Sequence, residues 1–298
     1  MHLGNIFTAL ISWLSARASG GRWILRIEDL DPQRSKPEYA RLIEDDLHWL
    51  GLDWDEGGLD NAGSHGPYSQ SQRSHIYKEY LDKLIACGLL YPCSCRRADI
   101  MATQAPHQSD GRIIYQGTCR PAEQPSFATE VPEGKALRLF VPDEVISFTD
   151  RVYGLQQSNL RNDCGDFVVR RADGAWSYQL AVVVDDGLMG VNEVVRGNDL
   201  LLSTAQQLYL YRLLDLPAPR FAHLPLICNT AGQRLSKRDN AASMAELRQR
   251  HSAPEIIGRL ANMIGLTPTP EPCTPADLIP LFSWSLFDSK QSSITCRF

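Results

Sequence analysis

The chain has 298 residues, 43% apolar and 22% charged, with a formal net charge of -5. That length accommodates a catalytic domain with a sizeable insertion, or two small domains. No apolar run approaches the roughly 20 residues of a membrane helix. The negative balance argues against a blanket affinity for nucleic acid, so any RNA contact must use a local basic face.

Ile6, Leu10, Ile11 and Leu14 recur at helical spacing and predict a buried amphipathic helix ending at Gly20-Gly21. The same run, followed by Ala16-Arg17-Ala18, has the outline of an export signal. Only His2 precedes it where a charged leader belongs, so we read it as core. Trp23 to Ile27 reads as a short buried strand leading into Glu28-Asp29. Ser35 and Pro37 suit the cap and first turn of a helix with Tyr39, Leu42, Ile43, Leu47 and Leu50 on its apolar face. A third helix is expected from about Ser71 to Ala86, with Ile76, Leu81, Leu84 and Ile85 inward. This alternation points to an α/β domain with a parallel sheet.

Residues 92–165 have a different texture, with short strand candidates, frequent Pro and Gly, and an exposed loop expected at 104–110. We therefore divide the chain into four parts. Residues 1–91 form the first half of a Rossmann-like catalytic domain, 92–165 an insertion, 166–228 the second half, and 229–298 a C-terminal region. The second half offers Asp166 to Arg170, the apolar run Leu180 to Val184, a strand Val191 to Arg196, a helix Thr204 to Leu214 and a strand-like run Phe221 to Cys228. The C-terminal region reads as a loop followed by helices around 242–250 and 255–264.

Eight irregularly spaced cysteines do not make a disulfide framework, which suits the cytosol. Cys93, Cys95 and Cys119 stand apart from the rest. Two thiolates one residue apart, with a third downstream, supply three soft ligands to a tetrahedral zinc. From the residues alone the fourth ligand is open, with a water or His107 the generic choices. The competing reading is three buried cysteines.

His2-Leu3-Gly4-Asn5 opens the first predicted helix, and Arg234-Leu235-Ser236-Lys237-Arg238 lies in a loop after the last strand-like run. A helix N-terminus bearing a His, with a Gly that lets backbone approach a nucleotide, suits one side of a polyphosphate. A lysine on a loop suits the other. Taken singly, His2 is a terminal residue and Lys237 a solvated charge. Between them, in order, come Arg26-Ile27-Glu28-Asp29-Leu30-Asp31, then Tyr178 to Asp186, then Glu193-Val194-Val195-Arg196-Gly197-Asn198-Asp199-Leu200.

Together these segments resemble the class I aminoacyl-tRNA synthetases of the glutamyl type, over nearly the whole chain. The resemblance implies an α/β catalytic domain that activates L-glutamate with ATP, Mg2+ accompanying the nucleotide. It implies that His2, Gly4, Asn5, Leu235, Ser236 and Lys237 surround ATP, with His2, Gly4 and Lys237 catalytic. It further implies that Glu28 meets the amino acid's ammonium while Tyr178 and Arg196 hold its carboxylates. A guanidinium suits that task because it grips a carboxylate with two parallel hydrogen bonds. Read alone, Arg196 is a surface ion pair and Glu28 a capping or paired carboxylate.

Cys93-Ser94-Cys95 with Tyr115-Gln116-Gly117-Thr118-Cys119 resembles a shortened branch of that family, which attaches glutamate to queuosine at the wobble position of tRNA(Asp). The resemblance implies one structural Zn2+ on Cys93, Cys95, Tyr115 and Cys119, with no position left open for catalysis. About sixty residues follow Lys237, too few for the usual anticodon-binding domain. The strand and turn that precede the first signature in the family have no counterpart before His2. The first strand is therefore expected to be missing and Met1 to be an internal methionine, while Arg234 replaces a more usual Lys. The expected partners are ATP, L-glutamate and tRNA(Asp) carrying queuosine, for a monomer with no membrane contact. Competing readings are a glutamyl-tRNA synthetase catalytic fragment and a catalytically silent paralogue that binds tRNA. Arg96, Arg97, Arg112, Arg120, Arg161, Arg170 and Arg171 are the candidate phosphate-facing charges.

Overall fold

The computed structural model describes residues 1–33, 35–96, 114–125, 132–229, 243–287 and 291–296. Helix α1 spans Leu3–Ala18, and Leu3, Ile6, Phe7, Leu10, Ile11, Trp13 and Leu14 are all buried on it. The apolar N-terminal run is thus core. Strand β1 (Ile24–Leu25) pairs in parallel with β2 (Glu56–Gly57). Between them α2 (Pro37–Leu50) ends on Gly51, whose positive φ of 78° is the left-handed stop a glycine supplies.

Two details of α2 differ from the sequence pattern. Lys36, not Ser35, is the cap residue, and it makes no side-chain cap bond. Tyr39 and Leu42 are exposed, at 45% and 55%, while Ala40, Asp46, Leu47 and Leu50 face inward. Buried Asp46 holds the chain's amino terminus at 3.5 Å and Arg248 at 3.0 Å.

Helix α3 (Ser74–Ala86) leads into a three-stranded antiparallel sheet of β3 (Leu90–Cys93), β4 (Ala136–Leu139) and, later in the chain, β7 (Phe167–Arg170). The hairpin of β5 (Val145–Asp150) and β6 (Gly154–Asn159) joins a second sheet. Its order is β6-β5-β9-β8, with β8 (Glu193–Gly197) parallel to β9 (Arg220–Leu224) and β9 parallel to β5. Strand pairing therefore crosses the boundaries drawn at 92 and 165, since β3 itself runs through 92 and β5 and β6 belong to the sheet of β8 and β9. The run Phe221 to Cys228 is two strands broken at Pro225, the second being β10 (Leu226–Cys228), paired with β11 (Ser293–Thr295).

Leu180 to Val184 lies within helix α4 (Tyr178–Leu188), capped by Ser177, whose hydroxyl accepts from Leu180 N. Helix α5 (Ser203–Leu213) packs beside it, and α6 (Met244–Arg250), α7 (Ala253–Met263) and α8 (Pro275–Leu278) follow. Strand alternation sends side chains to opposite faces. Val194 and Phe221 enter the core formed with α3, α4 and α5, while Val195 and Leu224 enter the core formed with α1, α2 and α7. A parallel pair covered on both faces is what an α/β catalytic layer requires. Among the described residues, β1 pairs only with β2, and β8 only with β9.

Candidate active site

An open cleft of about 570 Å3 runs between β1 and β8, along the first half of α1. His2, Gly4, Asn5, Arg26, Gly197 and Leu226 are among its lining residues. Its size falls within the range of small-molecule sites.

His2 caps α1 with extended backbone. Its carbonyl accepts from Asn5 N and Ile6 N, and its N–H donates to Asn5 Oδ1 at 3.2 Å. Asn5 thus spends its side chain on the helix start. A Cβ on Gly4 would come within 3.2–3.3 Å of the His2 ring, so glycine keeps that imidazole in place. His2 also bridges to Ser243, where the described chain resumes after residue 229, and Met244 N donates to the Met1 carbonyl. Arg234, Leu235, Ser236 and Lys237 lie outside the described residues, as do His107, Arg97 and Arg112.

Of the three expected glutamate-binding residues, Tyr178 lies within electrostatic reach of both Glu28 and Arg196. Glu28 is held by Arg26, whose Nη2 lies 3.1 Å from Glu28 Oε1 while Nη1 reaches Asp186 at 2.7 Å. Arg26 stays charged. Burial works against it, but Asp186, Glu28 and Asp185 outweigh burial and raise its pKa well above the ordinary value. The Tyr178 phenol feels both Glu28 and Arg196, and burial followed by Glu28 raises its pKa while Arg196 opposes.

Arg196 is 7% exposed on β8. It donates through Nε to His223 Nε2 at 3.0 Å and through Nη2 to Thr204 Oγ1 at 2.9 Å. Both acceptors are neutral groups or weak bases, so the cationic head keeps its charge for an anion. Gly197 follows it because a Cβ there would meet Asp199 Oδ1 at 2.6 Å.

Sequence reasoning missed what holds these groups. Asp185, fully buried in α4, accepts from Arg73 Nε at 2.6 Å, Tyr77 Oη at 2.8 Å and Gln70 Nε2 at 2.9 Å. With Asp186 it ties α4 to β1 and α3. The adjacent acids at 185 and 186, unusual in so apolar a helix, were the available signal.

The cysteine cluster also assembles. Cys93, Cys95 and Cys119 sulfurs lie within 4.8 Å of one another, with Cys95 and Cys119 3.6 Å apart. Tyr115 Oη is 3.6 Å from Cys93 Sγ and 3.9 Å from Cys95 Sγ. A tetrahedral zinc with bonds of about 2.3 Å sets its sulfurs about 3.8 Å apart, so this donor set fits one. Burial pushes the Cys119 thiol up, but the Ser94 backbone N–H and neighbouring donors outweigh it and bring the thiol to about 7. Burial raises the Cys95 thiol and the Tyr115 phenol. Beneath them Arg138 donates to Cys93 Sγ at 3.2 Å and stacks on Tyr115.

The candidate RNA face loses one member. Arg120 is spent on Asp166, the Val141 carbonyl and the Phe140 ring. Arg170 stacks on Trp176, and Arg171 pairs with Asp173.

Comparison with known proteins adds three findings. Residues 1–286 match the catalytic domain of the class I tRNA synthetases (E and Q). Proteins named glutamyl-Q tRNA(Asp) synthetase are 51% identical in Symbiobacterium thermophilum and 45% identical in Nitratidesulfovibrio vulgaris, each alignment covering 95% of this chain and 88% of the relative. The crystal structure of the glutamate-tRNA synthetase from Elizabethkingia anophelis superposes with a TM-score of 0.80 at 27% identity. That match covers 99% of this chain but only 65% of the longer protein.

Proposed function

The chain belongs to the class I tRNA synthetases of the glutamate and glutamine type, and we propose that it activates L-glutamate with ATP and transfers it to queuosine in tRNA(Asp). The amino-acid half is supported by one observation: buried Arg196, held by uncharged acceptors, neighbours Tyr178, which is also within electrostatic reach of Glu28, while Arg26, Val195 and Gly197 line the cleft. The acceptor half is supported by relatives of that name at 51% and 45% identity.

In the first step a glutamate carboxylate oxygen attacks the α-phosphorus of ATP. The bond to the β-phosphate breaks, and pyrophosphate leaves with its electron pair. Arg196 and Tyr178 hold the carboxylates, and Glu28 takes the ammonium. His2 and the backbone donors at the start of α1 face the polyphosphate with the positive end of the helix dipole, and Gly4 lets the nucleotide come close. Lys237 neutralises the charge that develops as pyrophosphate departs, with Asn5, Leu235 and Ser236 shaping the nucleotide site and Mg2+ accompanying ATP. Losing one such donor typically costs about 3 kcal/mol of barrier. In the second step a queuosine hydroxyl attacks the acyl carbon of the adenylate and AMP leaves.

Cys93, Cys95, Tyr115 and Cys119 would hold one Zn2+, which when bound supplies a structural tie between β3 and residues 114–120. The tRNA substrate places the reaction in the cytoplasm, with the chain acting as a monomer. Parts 1–91 and 166–228 carry the chemistry, 92–165 the zinc, and 229–298 the Lys237 loop.

The test is ATP–pyrophosphate exchange without tRNA. Exchange supported by glutamate and not by glutamine or aspartate is expected. Exchange supported equally by all three would overturn the assignment of Arg196 and Tyr178 as the carboxylate clamp.

A further inference from the structure

Behind Arg196 lies a buried pair that neither reaction step uses. His223 on β9 and Asp150 at the end of β5 are 0% and 1% exposed. His223 Nδ1 is 2.7 Å from Asp150 Oδ2, and His223 Nε2 faces Arg196 Nε at 3.0 Å. A guanidinium N–H can only donate, so Nε2 must accept. His223 is thereby fixed as the neutral tautomer with its proton on Nδ1, directed at Asp150. Asp150 is itself anchored by the backbone N–H groups of Val152, Tyr153 and His223.

We propose that Asp150 and His223 are positioning residues that orient Arg196 for the substrate carboxylate through an uncharged acceptor. The inference rests on the reading that Arg196 binds glutamate. An aspartate placed directly on Arg196 would orient it equally well but would compete with the substrate for the same cation. Interposing a neutral imidazole fixes the guanidinium and leaves its charge for the ligand. Thr204 Oγ1 does the same for Nη2.

The arrangement also carries a built-in limit. A second proton on His223 would turn Nε2 into a donor aimed at a donor, placing two cations side by side. The groups facing the imidazole are Asp150 on β5, Arg196 on β8, Thr204 on α5, Asp199 in the turn after β8, and the stacked ring of Phe221. Burial and Arg196 oppose that proton, while Asp150 and Asp199 favour it, and the balance lowers the pKa.

Two substitutions separate the bonds. His223→Asn keeps an amide N–H near the Nδ1 position for Asp150 and removes the acceptor for Arg196. His223→Gln places an amide oxygen near the Nε2 position. In glutamate-dependent pyrophosphate exchange, His223→Asn is expected to raise KM for glutamate by about tenfold or more, the loss of one bond to a charged donor. KM for ATP should stay within about twofold, since no bond of His223 reaches the nucleotide cleft. His223→Gln should keep glutamate KM within about threefold of wild type, and should lack the rise in KM expected of wild type as pH falls. Thr204→Val, which leaves the buried pair intact, should raise glutamate KM in the same direction.

Independent of turnover, the Arg196 Nε–H should give a slowly exchanging 15N-coupled resonance that His223→Gln retains and His223→Asn loses. Wild-type glutamate KM in folded His223→Asn, or equal rises for glutamate and ATP, would overturn the proposal. If Arg196→Ala itself left glutamate KM unchanged, the site reading would fail instead. The orienting role would then stand or fall on the Nε–H resonance.

Discussion

Asp185→Ala removes the carboxylate that accepts three hydrogen bonds and leaves Arg73, 1% exposed, as a buried cation. The remaining partners of Arg73 are the carbonyls of Pro67 at 2.9 Å and His65 at 3.3 Å, which cannot neutralise it. Breaking a buried ion pair by deleting one partner costs about 3–5 kcal/mol. Orphaning the Tyr77 hydroxyl and the Gln70 amide adds about 1 kcal/mol each. The expected loss of about 5–7 kcal/mol is a large fraction of a native stability of about 5–15 kcal/mol. Asp185→Asn preserves shape and one acceptor oxygen and should lose clearly less. Urea unfolding followed by tryptophan fluorescence reads both, because Trp176 packs edge-on against Tyr77. With a denaturant slope of about 3 kcal/mol/M, the alanine variant should unfold at least about 1 M earlier than wild type. A loss below about 1 kcal/mol, within the range of an ordinary surface substitution, would refute the claim that Asp185 holds Arg73 and α3 to α4.

Other outcomes follow from the same geometry. Metal analysis of purified protein should find one zinc per chain, and Tyr115→Phe should keep the three thiolates but release zinc more readily to a chelator; protein free of zinc would remove the site. Arg196→Ala should abolish glutamate-dependent pyrophosphate exchange while leaving ATP binding intact, and wild-type exchange would remove the carboxylate clamp. Stability should fall as pH drops below about 6.5, because the unfolded chain takes a proton that native His223, with its lowered pKa, refuses. The slope from this one group is at most about 1.4 kcal/mol per pH unit. Asp150, with its pKa lowered, contributes stability that is present above the ordinary carboxylate range and is lost as pH falls through its native value, so it adds to acid loss only below about pH 4. Urea midpoints measured from pH 7 to 5 should therefore fall in wild type and flatten in His223→Gln; parallel curves would contradict the assignment.

Much of this is legible in the sequence, and what is not has physical causes. The seven apolar residues of α1 obey helical spacing and are buried as that spacing requires. Leu180 to Val184 is apolar at every position, which leaves no period to separate helix from strand; the Ser177 cap decides it. On α2, Ile43, Leu47 and Leu50 pack on the core as their spacing predicts, while Tyr39 and Leu42 are exposed and the polar Asp46 is the buried group, which apolar spacing does not reveal. At the site, Glu28, Tyr178 and Arg196 came from ordered motifs. Their supports did not, because His223 and Asp150 stand 73 residues apart, and Arg73 and Asp185 stand 112 apart. Polar pairs of that separation carry no local pattern.

The most direct test of the central claim is transfer of labelled glutamate to three purified RNAs, namely tRNA(Asp) containing queuosine, the same tRNA with guanosine at that position, and tRNA(Glu). Label on queuosine-containing tRNA(Asp) alone is the predicted result. Label on the terminal adenosine of tRNA(Glu), or on neither acceptor despite glutamate-dependent exchange, would contradict it.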